Sequence, residues 1–300
     1  MMIRYSEPEP DMNIIGHERR REQLRKIARG ELPHHAFLFS GPEGVGKSLV
    51  AREFAAMLLG SPDEDPSGKQ DFLLIAPESK KDGGKKSMSV EAVREVGMFL
   101  SRFPAESVRR VVVLDDADRM TEAAQNALLK TLEEPNSTSV LILVAARMGK
   151  LLDTVVSRTF RVSFSPVSES LIRDRFGSSS VEPFFFSLGR PGIVSMAIND
   201  ADSFGRRREL LRSLFRISSL SFSERLDLSE KLSVSPSETA DLFEWWVTGL
   251  RNTRRKDALS FRTAAPFYGI LEEIEKTIRE LRDTNANARL LIDRLFLVSL

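Results

Sequence analysis

The most informative stretch of the sequence is Gly41-Pro42-Glu43-Gly44-Val45-Gly46-Lys47-Ser48. It fits the pattern G-x-x-x-x-G-K-[ST] at every fixed position, and this pattern is typical of a phosphate-binding loop, or P-loop. The glycines let backbone N–H groups surround a polyphosphate, and the start of the following helix adds unpaired donors and a positive dipole end. We therefore predict that residues 41–48 bind ATP or ADP.

Both flanks of this loop match the context that the motif requires. Before it, Ala36-Phe37-Leu38-Phe39 is short and apolar, like a strand; after it, residues 49–59 carry apolar side chains at helical spacing up to Gly60. In such a strand–loop–helix unit, Lys47 reaches the outer phosphates and the Ser48 hydroxyl holds Mg²⁺. The alternative is a glycine-rich turn before an ordinary helix, which the complete motif and both flanks disfavour.

The composition argues against several classes of protein. The 300 residues are 29% charged and 41% hydrophobic, as in an ordinary soluble globular protein. No apolar run approaches the ~18 residues of a membrane helix, and the N-terminus lacks the apolar segment of a signal peptide. The chain has no cysteine and three histidines, which argues against disulfides and a zinc enzyme. We expect a cytoplasmic protein.

Alternating strands and helices predict a parallel α/β sheet in the first half of the chain. We predict helices near residues 13–30, 49–59, 89–100, 121–134 and 151–157, and strands near 36–39, 72–75, 111–114, 140–144 and 160–164. The strands at 72–75 and 111–114 are expected to be buried, the latter as a central strand covered on both faces. Ser89 is the predicted N-cap of its helix.

The pattern changes after Pro166, because no continuous apolar strand recurs there. Residues 167–200 predict short helices interrupted by glycine and proline, and residues 203–300 are helical throughout. The segment 78–87 is a basic loop that contains two glycines. We interpret it as a solvated surface loop, with a DNA or partner contact as the alternative.

A second part of the nucleotide site is predicted at Asp115-Asp116-Ala117-Asp118, directly after the strand at 111–114. In P-loop proteins a carboxylate at the end of a later strand holds Mg²⁺, and Asp115 is the candidate. Asp116 stands where many such ATPases carry glutamate, and a general base needs to come within about 2.6–3.2 Å of its proton. Its shorter side chain makes Asp116 a weak base candidate. The alternative for Asp116 and Asp118 is helix capping or surface charge.

Three stretches resemble the AAA+ subunits of DNA clamp loaders, and among these the delta-prime family of bacterial DNA polymerase III. They are Val113-Leu114-Asp115-Asp116-Ala117-Asp118-Arg119-Met120, Ala124-Gln125-Asn126-Ala127-Leu128-Leu129-Lys130-Thr131-Leu132-Glu133-Glu134-Pro135 and Leu151-Leu152-Asp153-Thr154-Val155-Val156-Ser157-Arg158-Thr159. The second run is long and specific to this family. The similarity covers about residues 12–200, and the C-terminal hundred residues match only in being helical.

The resemblance implies a RecA-like AAA+ P-loop domain at residues 1–165, a small helical lid at 166–202 and a helical collar that oligomerises at 203–300. It also implies a hetero-pentamer with gamma/tau and delta subunits, which places a sliding clamp on primed DNA. Since the net charge is only +1, DNA contact is expected from a local patch or through the complex.

The resemblance further implies that Arg158 reaches the ATP site of a neighbouring subunit as an arginine finger. Ser157-Arg158-Thr159 stands where the family carries Ser-Arg-Cys. A guanidinium is always charged and forms a planar fork, so it can stabilise the charge that develops on a γ-phosphate across an interface. The alternative is a surface ion pair.

Three departures from the family pattern bear on hydrolysis and on zinc. The family commonly has four cysteines that form a zinc module after the P-loop helix; this chain has none, so no zinc is expected. At the sensor position after the fourth strand stands Ala145-Ala146-Arg147, which leaves Arg147 as the polar candidate. Where active relatives carry Gly-Ser-x-Arg, this chain has Gly189-Arg190-Pro191-Gly192. We therefore expect a subunit that binds nucleotide with weak or no hydrolysis of its own.

Two other functions remain as alternatives at this point. The first is a gamma/tau-like motor subunit that hydrolyses its own ATP, so the sequence leaves open whether the chain is an enzyme. The second is a P-loop kinase acting on a small molecule. No candidate base for a kinase is evident, and this function would leave the clamp-loader run at 124–135 unexplained.

Overall fold

The computed structural model describes residues 14–30, 34–77, 87–177, 187–199, 201–256, 264–283 and 286–299. These residues divide into two compact units. The first unit holds the described residues up to position 177 together with Gly189–Gly192, and the second holds 187, 188 and those from Ile193 onward. Apart from Ser87, the basic loop predicted at 78–87 lies outside the described residues.

The first unit contains a five-stranded sheet in the order β2-β3-β4-β1-β5, and every pair of neighbouring strands is parallel. The strands are β1 (Ala36–Ser40), β2 (Phe72–Ile75), β3 (Arg110–Leu114), β4 (Ser139–Ala145) and β5 (Phe160–Ser163). Phe37 of β1 lies opposite both Ile142 of β4 and Phe160 of β5, which fixes the register of that half of the sheet. The predicted parallel α/β sheet is confirmed.

Helices cover both faces of this sheet and bury its apolar side chains in two layers. They are α1 (Glu18–Arg29), α2 (Lys47–Leu58), α3 (Val90–Leu100), α4 (Glu122–Glu133), α5 (Asp153–Val156) and α6 (Glu169–Phe176). Phe37 and Phe39 pack with Phe54 of α2 on one face, whereas Leu38 packs with Leu128 of α4 on the other. Successive residues of a strand point to opposite faces, so β1 contributes to both layers.

Side-chain caps begin two of these helices at the positions that their sequences indicate. The Ser89 hydroxyl accepts a bond from the Ala92 N–H at 3.4 Å, which confirms the predicted cap of α3. The Thr121 hydroxyl accepts the Ala124 N–H at 3.2 Å at the start of α4, and Pro135 follows soon after its end. Such caps satisfy backbone donors that have no acceptor inside the helix.

The burial predicted for the strand at 72–75 is wrong. This strand, β2, lies at the edge of the sheet and pairs only with β3, and Leu74 is 39% exposed. An apolar run cannot by itself distinguish an edge strand from an interior one, because both carry β-branched and aromatic residues. The expectation for β3 is confirmed, since it lies between two strands and is buried along its whole length.

The second unit consists of helices around one apolar core, as the pattern after residue 203 predicts. The helices are α7 (Pro191–Asn199, whose first two residues belong to the first unit), α8 (Ala201–Phe215), α9 (Phe222–Ser233), α10 (Pro236–Lys256), α11 (Ala264–Asp283) and α12 (Ala288–Arg294). Phe243, Trp246 and Phe296 are among the largest side chains buried in this core. The predicted fold class, an α/β domain followed by helices, is confirmed.

None of the helices in the described part of the chain combines the length and the apolar character that a membrane span needs. The exact division into domains at 1–165, 166–202 and 203–300 remains a prediction.

The carboxyl ends of the parallel strands bring several loops together at one edge of the sheet. The P-loop follows β1, Asp115 follows β3, Ala146 and Arg147 follow β4, and Phe164 follows β5. Ligands of open α/β sheets bind outside the carboxyl ends of the strands. This edge is therefore where a functional site is expected.

Candidate nucleotide-binding site

The P-loop joins the carboxyl end of β1 to the first residue of α2. Gly41, Gly44 and Gly46 have φ angles of 152°, 78° and 101°, which residues with a side chain rarely adopt. Lys47 is the first residue of α2, so the loop leads directly into a helix N-terminus. Because the first N–H groups of a helix have no acceptor within it, the loop and the first turn of α2 can surround an anion.

Two of the glycines are required for different physical reasons. A Cβ added at Gly41 would lie 2.2 Å from the Phe164 carbonyl oxygen, so the close approach of the chain after β5 excludes any side chain there. A Cβ added at Gly46 would meet nothing within 4 Å, so glycine is favoured there by the positive φ angle alone. The open space at Gly46 is compatible with a phosphate approaching the backbone closely.

The Lys47 side chain is buried beneath the loop and stabilises its shape. Its Nζ donates hydrogen bonds to the carbonyl oxygens of Gly41 at 2.8 Å and Pro42 at 2.7 Å. Burial lowers the pKa of Lys47, and the negative charges of Asp115, Glu43 and Asp116 oppose this effect. An anionic ligand at the loop would supply further negative charge and favour the ammonium form.

Ser48 and Asp115, the two predicted Mg²⁺ ligands, lie side by side although they come from different parts of the chain. The Ser48 hydroxyl donates to Asp115 Oδ1 at 2.7 Å, and the Asp116 N–H donates to the same oxygen at 3.0 Å. Burial raises the pKa of Asp115, and the bond from Ser48 partly offsets this shift. A hydroxyl and a carboxylate in contact are oxygen ligands of the kind that Mg²⁺ prefers.

Helix α1 is fixed to the P-loop and to α2 by contacts that sequence analysis did not predict. His17 Nε2 lies 2.8 Å from the Val45 carbonyl oxygen. Arg21 donates to both carboxylate oxygens of Glu53, at 2.7 and 2.6 Å, and Glu53 is only 6% exposed. The sequence signal that could have indicated the contact with α1 is Glu53, a carboxylate on the apolar side of α2, because a buried charge needs a partner.

Asp116, the weak base candidate, begins a short turn after β3 in the left-handed conformation, with φ at 48°. Its carboxylate lies 3.2 Å from Arg119 Nε, and its side chain is 41% exposed. The ion pair gives the carboxylate a partner within its own turn. Its role in hydrolysis remains a prediction.

Asp118 is buried and paired, so its interpretation as a capping or surface charge is wrong. Its side chain is 2% exposed, and it accepts the Ala146 N–H at 3.0 Å and Arg147 Nε at 2.8 Å. A buried carboxylate requires such donors, because an isolated charge in the interior is costly. Asp118 therefore fixes the end of β4 and engages the one polar side chain at the predicted sensor position.

Gly192, which the resemblance places at the position of an arginine in active relatives, lies directly on the P-loop. Its N–H donates to the Gly44 carbonyl oxygen at 2.9 Å. A Cβ at this position would be 3.1 Å from both the Cα and the oxygen of Gly44, closer than Cβ atoms normally approach. This close backbone contact thus favours glycine at position 192, because a side chain would force the Gly44 backbone to shift.

Arg158, the predicted arginine finger, lies at the surface after α5. Its guanidinium forms an ion pair with Glu133 at 2.8 Å and donates to the Thr154 carbonyl oxygen at 3.1 Å. The two charged side chains are 38% and 50% exposed, respectively. This is the surface ion pair that sequence analysis kept as the alternative, and an exposed pair leaves the guanidinium accessible to another molecule.

Comparison with known proteins decides the family. Residues 16–168, just over half of the chain, match the protein family described as "DNA polymerase III, delta subunit". The chain belongs to this family. Together with the delta' relatives described next, this match confirms the resemblance to the delta-prime family and to AAA+ clamp-loader subunits that three sequence stretches predict.

Curated relatives include two proteins named DNA polymerase III subunit delta'. The Bacillus subtilis protein is 30% identical over 182 residues, which cover 56% of this chain and 52% of the relative. The Pseudomonas aeruginosa protein is 34% identical over 138 residues, or 41% of each chain. This delta-family chain therefore spans about half the length of the curated relatives it matches.

The fold is also found in a solved structure. The crystal structure of a DNA polymerase III gamma subunit-related protein from Thermotoga maritima superposes with a TM-score of 0.50 at 21% identity, covering 93% of this chain and 98% of that one. At this identity the likeness concerns the fold alone. It agrees with a parallel α/β domain followed by helices.

We expect Gly192→Ala to loosen the P-loop of this delta-family chain. The added Cβ would push against the Gly44 backbone and weaken the bond from the residue-192 N–H to the Gly44 oxygen. Loss of one such bond corresponds to about 1 kcal/mol, or roughly fivefold faster hydrogen exchange at the residue-192 amide. Gly149→Ala is the control, because a Cβ there meets nothing within 4 Å. Unchanged exchange in the Gly192 variant would contradict the tight contact.

Proposed function

We propose that this chain acts as a delta-prime-like clamp-loader subunit of DNA polymerase III. In this proposal it forms a hetero-pentamer with gamma/tau and delta subunits, and the complex places a sliding clamp on primed DNA. The chain binds Mg²⁺ with ATP or ADP, hydrolyses ATP weakly or not at all, and offers Arg158 to the ATP site of a neighbouring subunit. Family membership and the exposed guanidinium of Arg158 support this proposal.

One observation supports the proposal of weak hydrolysis: the side chains proposed to bind nucleotide lie together, whereas those proposed for catalysis are paired elsewhere or absent. The P-loop is formed, and Ser48 contacts Asp115. In contrast, Arg147 is paired with the buried Asp118, and Gly192 has no side chain to offer a γ-phosphate. Electrostatic stabilisation of the transition state depends on such preorganised groups, and without them bound ATP would persist.

The residues present fit a magnesium–nucleotide complex. The N–H groups of the P-loop and of the first turn of α2 would bind the phosphates, with Lys47 beside them. Ser48 and Asp115 would hold Mg²⁺, which neutralises phosphate charge when bound. Burial raises the pKa of Asp115 and so disfavours its ionised form. A bound cation would favour that ionised form.

Contact with DNA belongs to the complex in this proposal. With a net charge of +1, the chain has no strong overall attraction to a polyanion. Contacts to the DNA phosphate backbone position a protein without reading the base sequence, and they weaken as the salt concentration increases. The complex would therefore bind primed DNA in a salt-sensitive and sequence-independent way, while the isolated chain would bind it weakly.

The first experiment compares ATP turnover by the isolated chain with turnover by the complex reconstituted from clamp-loader subunits. We expect negligible turnover by the chain alone, and a complex whose turnover requires the chain. Brisk hydrolysis by the isolated chain would contradict weak hydrolysis. Failure to associate with any clamp-loader ATPase subunit would contradict the proposed function as a whole.

The variant Lys47→Ala is expected to lower the affinity of the isolated chain for Mg·ATP by about tenfold or more, because a charge-assisted bond to phosphate is lost. Clamp loading by the reconstituted complex should change less than about twofold, since the neighbouring sites supply the hydrolysis. Lys26→Ala, at an exposed position of α1, is the matched control. Nucleotide affinity is measured by calorimetry and loading by clamp retention on circular primed DNA.

The alternative function, a gamma/tau-like motor subunit, is favoured by the assembled Ser48–Asp115 pair. A motor subunit needs its own hydrolysis for each loading cycle, so Lys47→Ala would then reduce clamp loading sharply. The same variant therefore separates the two functions. A loss of loading in step with the loss of nucleotide affinity would favour the motor.

A further inference from the structure

We propose that Glu133 is a positioning residue for Arg158. Its carboxylate orients the Arg158 guanidinium toward an anionic group on a neighbouring chain. This inference rests on the proposed function, because it assumes that Arg158 acts on a triphosphate bound by another subunit. It adds a residue of this chain to that interface and predicts a kinetic effect for a carboxylate that would not touch the nucleotide itself.

Three groups hold the Arg158 guanidinium in one orientation. Glu133 Oε1 lies 2.8 Å from one terminal nitrogen, Nη2. The other terminal nitrogen, Nη1, donates to the Thr154 carbonyl oxygen at 3.1 Å and to the Ser157 hydroxyl at 3.4 Å. A guanidinium has five N–H donors, so these contacts leave donors for a phosphate. A side chain already ordered in this way loses less rotational freedom when it binds an anion.

The backbone that carries these two residues is itself firmly connected. The Gln125 side chain of α4, which is 3% exposed, donates to the Lys150 carbonyl oxygen at 2.9 Å and accepts the Leu152 N–H at 2.7 Å. Val155 of α5 is fully buried in the same apolar cluster as Leu132 of α4. The end of α4 and the turn after α5 therefore form one frame, in which the Glu133 and Arg158 side chains face each other.

The ion pair itself is too exposed to contribute much to folding. With 38% of Arg158 and 50% of Glu133 exposed, water screens the attraction. The consequence of the contact is thus the direction of the guanidinium rather than the stability of the chain. The N–H donors that these contacts leave unused can then engage a triphosphate while Glu133 still orients the guanidinium.

The decisive variant is Glu133→Gln, compared with Glu134→Gln at the next residue. Both remove one negative charge from adjacent positions, but no ion pair of Glu134 is seen among the described residues. The reconstituted complex is assayed for turnover of Mg·ATP in the presence of clamp and primed DNA. We expect Glu133→Gln to lower kcat by about threefold without changing KM, because orientation matters most where charge develops in the transition state. Glu134→Gln should leave both kcat and KM unchanged. Neither variant should change the melting temperature.

A double-mutant cycle tests whether Glu133 acts through the arginine. In an Arg158→Ala background, Glu133→Gln should have no further effect on turnover, because the side chain that it orients is absent. A reduction that persists in this background would overturn the inference. An increase of kcat in Glu133→Gln alone would also overturn it, since the carboxylate would then restrain Arg158 rather than orient it.

The outcomes distinguish this inference from the proposed function on which it rests. If Arg158→Ala leaves turnover of the complex unchanged, the trans-acting arginine itself is wrong, and the role of Glu133 fails with it. If Arg158→Ala reduces turnover but Glu133→Gln matches the Glu134→Gln control, only the positioning role of Glu133 is wrong.

Discussion

Arg158→Ala is expected to reduce ATP turnover by the reconstituted clamp-loader complex by about 10²- to 10³-fold at the site that receives the arginine. The guanidinium of Arg158 is exposed and lies at the end of a well-connected frame, so it is accessible to a neighbouring subunit. Its charge would meet the γ-phosphate oxygens as negative charge redistributes in the transition state. The measurement is single-turnover hydrolysis by the complex, with the neighbouring site saturated with Mg·ATP.

Two further variants make this result specific. Arg173→Ala removes another arginine of an ion pair, the half-buried partner of Glu169 in α6, and should leave turnover unchanged. Arg158→Lys keeps the positive charge but loses the planar fork, and should recover only a small part of the activity. Full activity of Arg158→Ala would show that Arg158 serves only its surface pair with Glu133, whereas full activity of the lysine variant would show that the positive charge suffices without the planar fork.

The local parts of the candidate site could be predicted because their information lies within short stretches. The P-loop motif specifies a strand, a glycine turn and a helix start, and the structure has all three. Asp115 was found by a topological rule: it follows an apolar strand, and the ends of parallel strands converge. Its contact with Ser48 at 2.7 Å follows from the strand order that brings β3 and β1 to either side of β4.

The contacts that sequence analysis missed join residues far apart in the chain. Asp118 looked like one more acidic residue of a charged run, and only the end of β4 supplies the donors that explain its burial. Gly192 looked like a departure from a motif, whereas its approach to Gly44 depends on how the chain returns to the P-loop. Periodicity and propensity report the burial of one face of an element, not the partner that each polar atom finds.

Asp71→Asn is expected to lower the free energy of unfolding of the α/β unit by about 3–5 kcal/mol, because it leaves a buried charge without its partner. Asp71 precedes β2 and its side chain has no exposed surface. Its carboxylate accepts the N–H groups of Ala105, Glu106 and Ser107, each at 2.8 Å, and lies 3.3 Å from Arg110 Nε. The side-chain amide of asparagine would either point its N–H group at these backbone donors or leave some of them without an acceptor.

Arg110 makes this loss more costly, because it is buried as well. Its side chain is 10% exposed, stacks 4.6 Å above the Phe99 ring and donates to the Phe103 carbonyl oxygen at 3.0 Å. Asp71 and Arg110 together fix the chain between α3 and β3, including Phe103, which is 78% exposed. Since the chain has two compact units, the effect is best measured by hydrogen exchange at the amides of β2 and β3. Asp63→Asn, at an exposed site, is the control.

The stability difference between the wild type and Asp71→Asn should depend on pH in one direction. Burial opposes ionisation of Asp71, but the three backbone donors and the charge of Arg110 outweigh it and lower the pKa of Asp71. The stabilisation is therefore complete above the ordinary aspartate value of about 3.9 and is lost as the pH falls through the lower pKa of the folded state. A difference that is already absent at neutral pH would mean that the carboxylate charge contributes nothing to this loop.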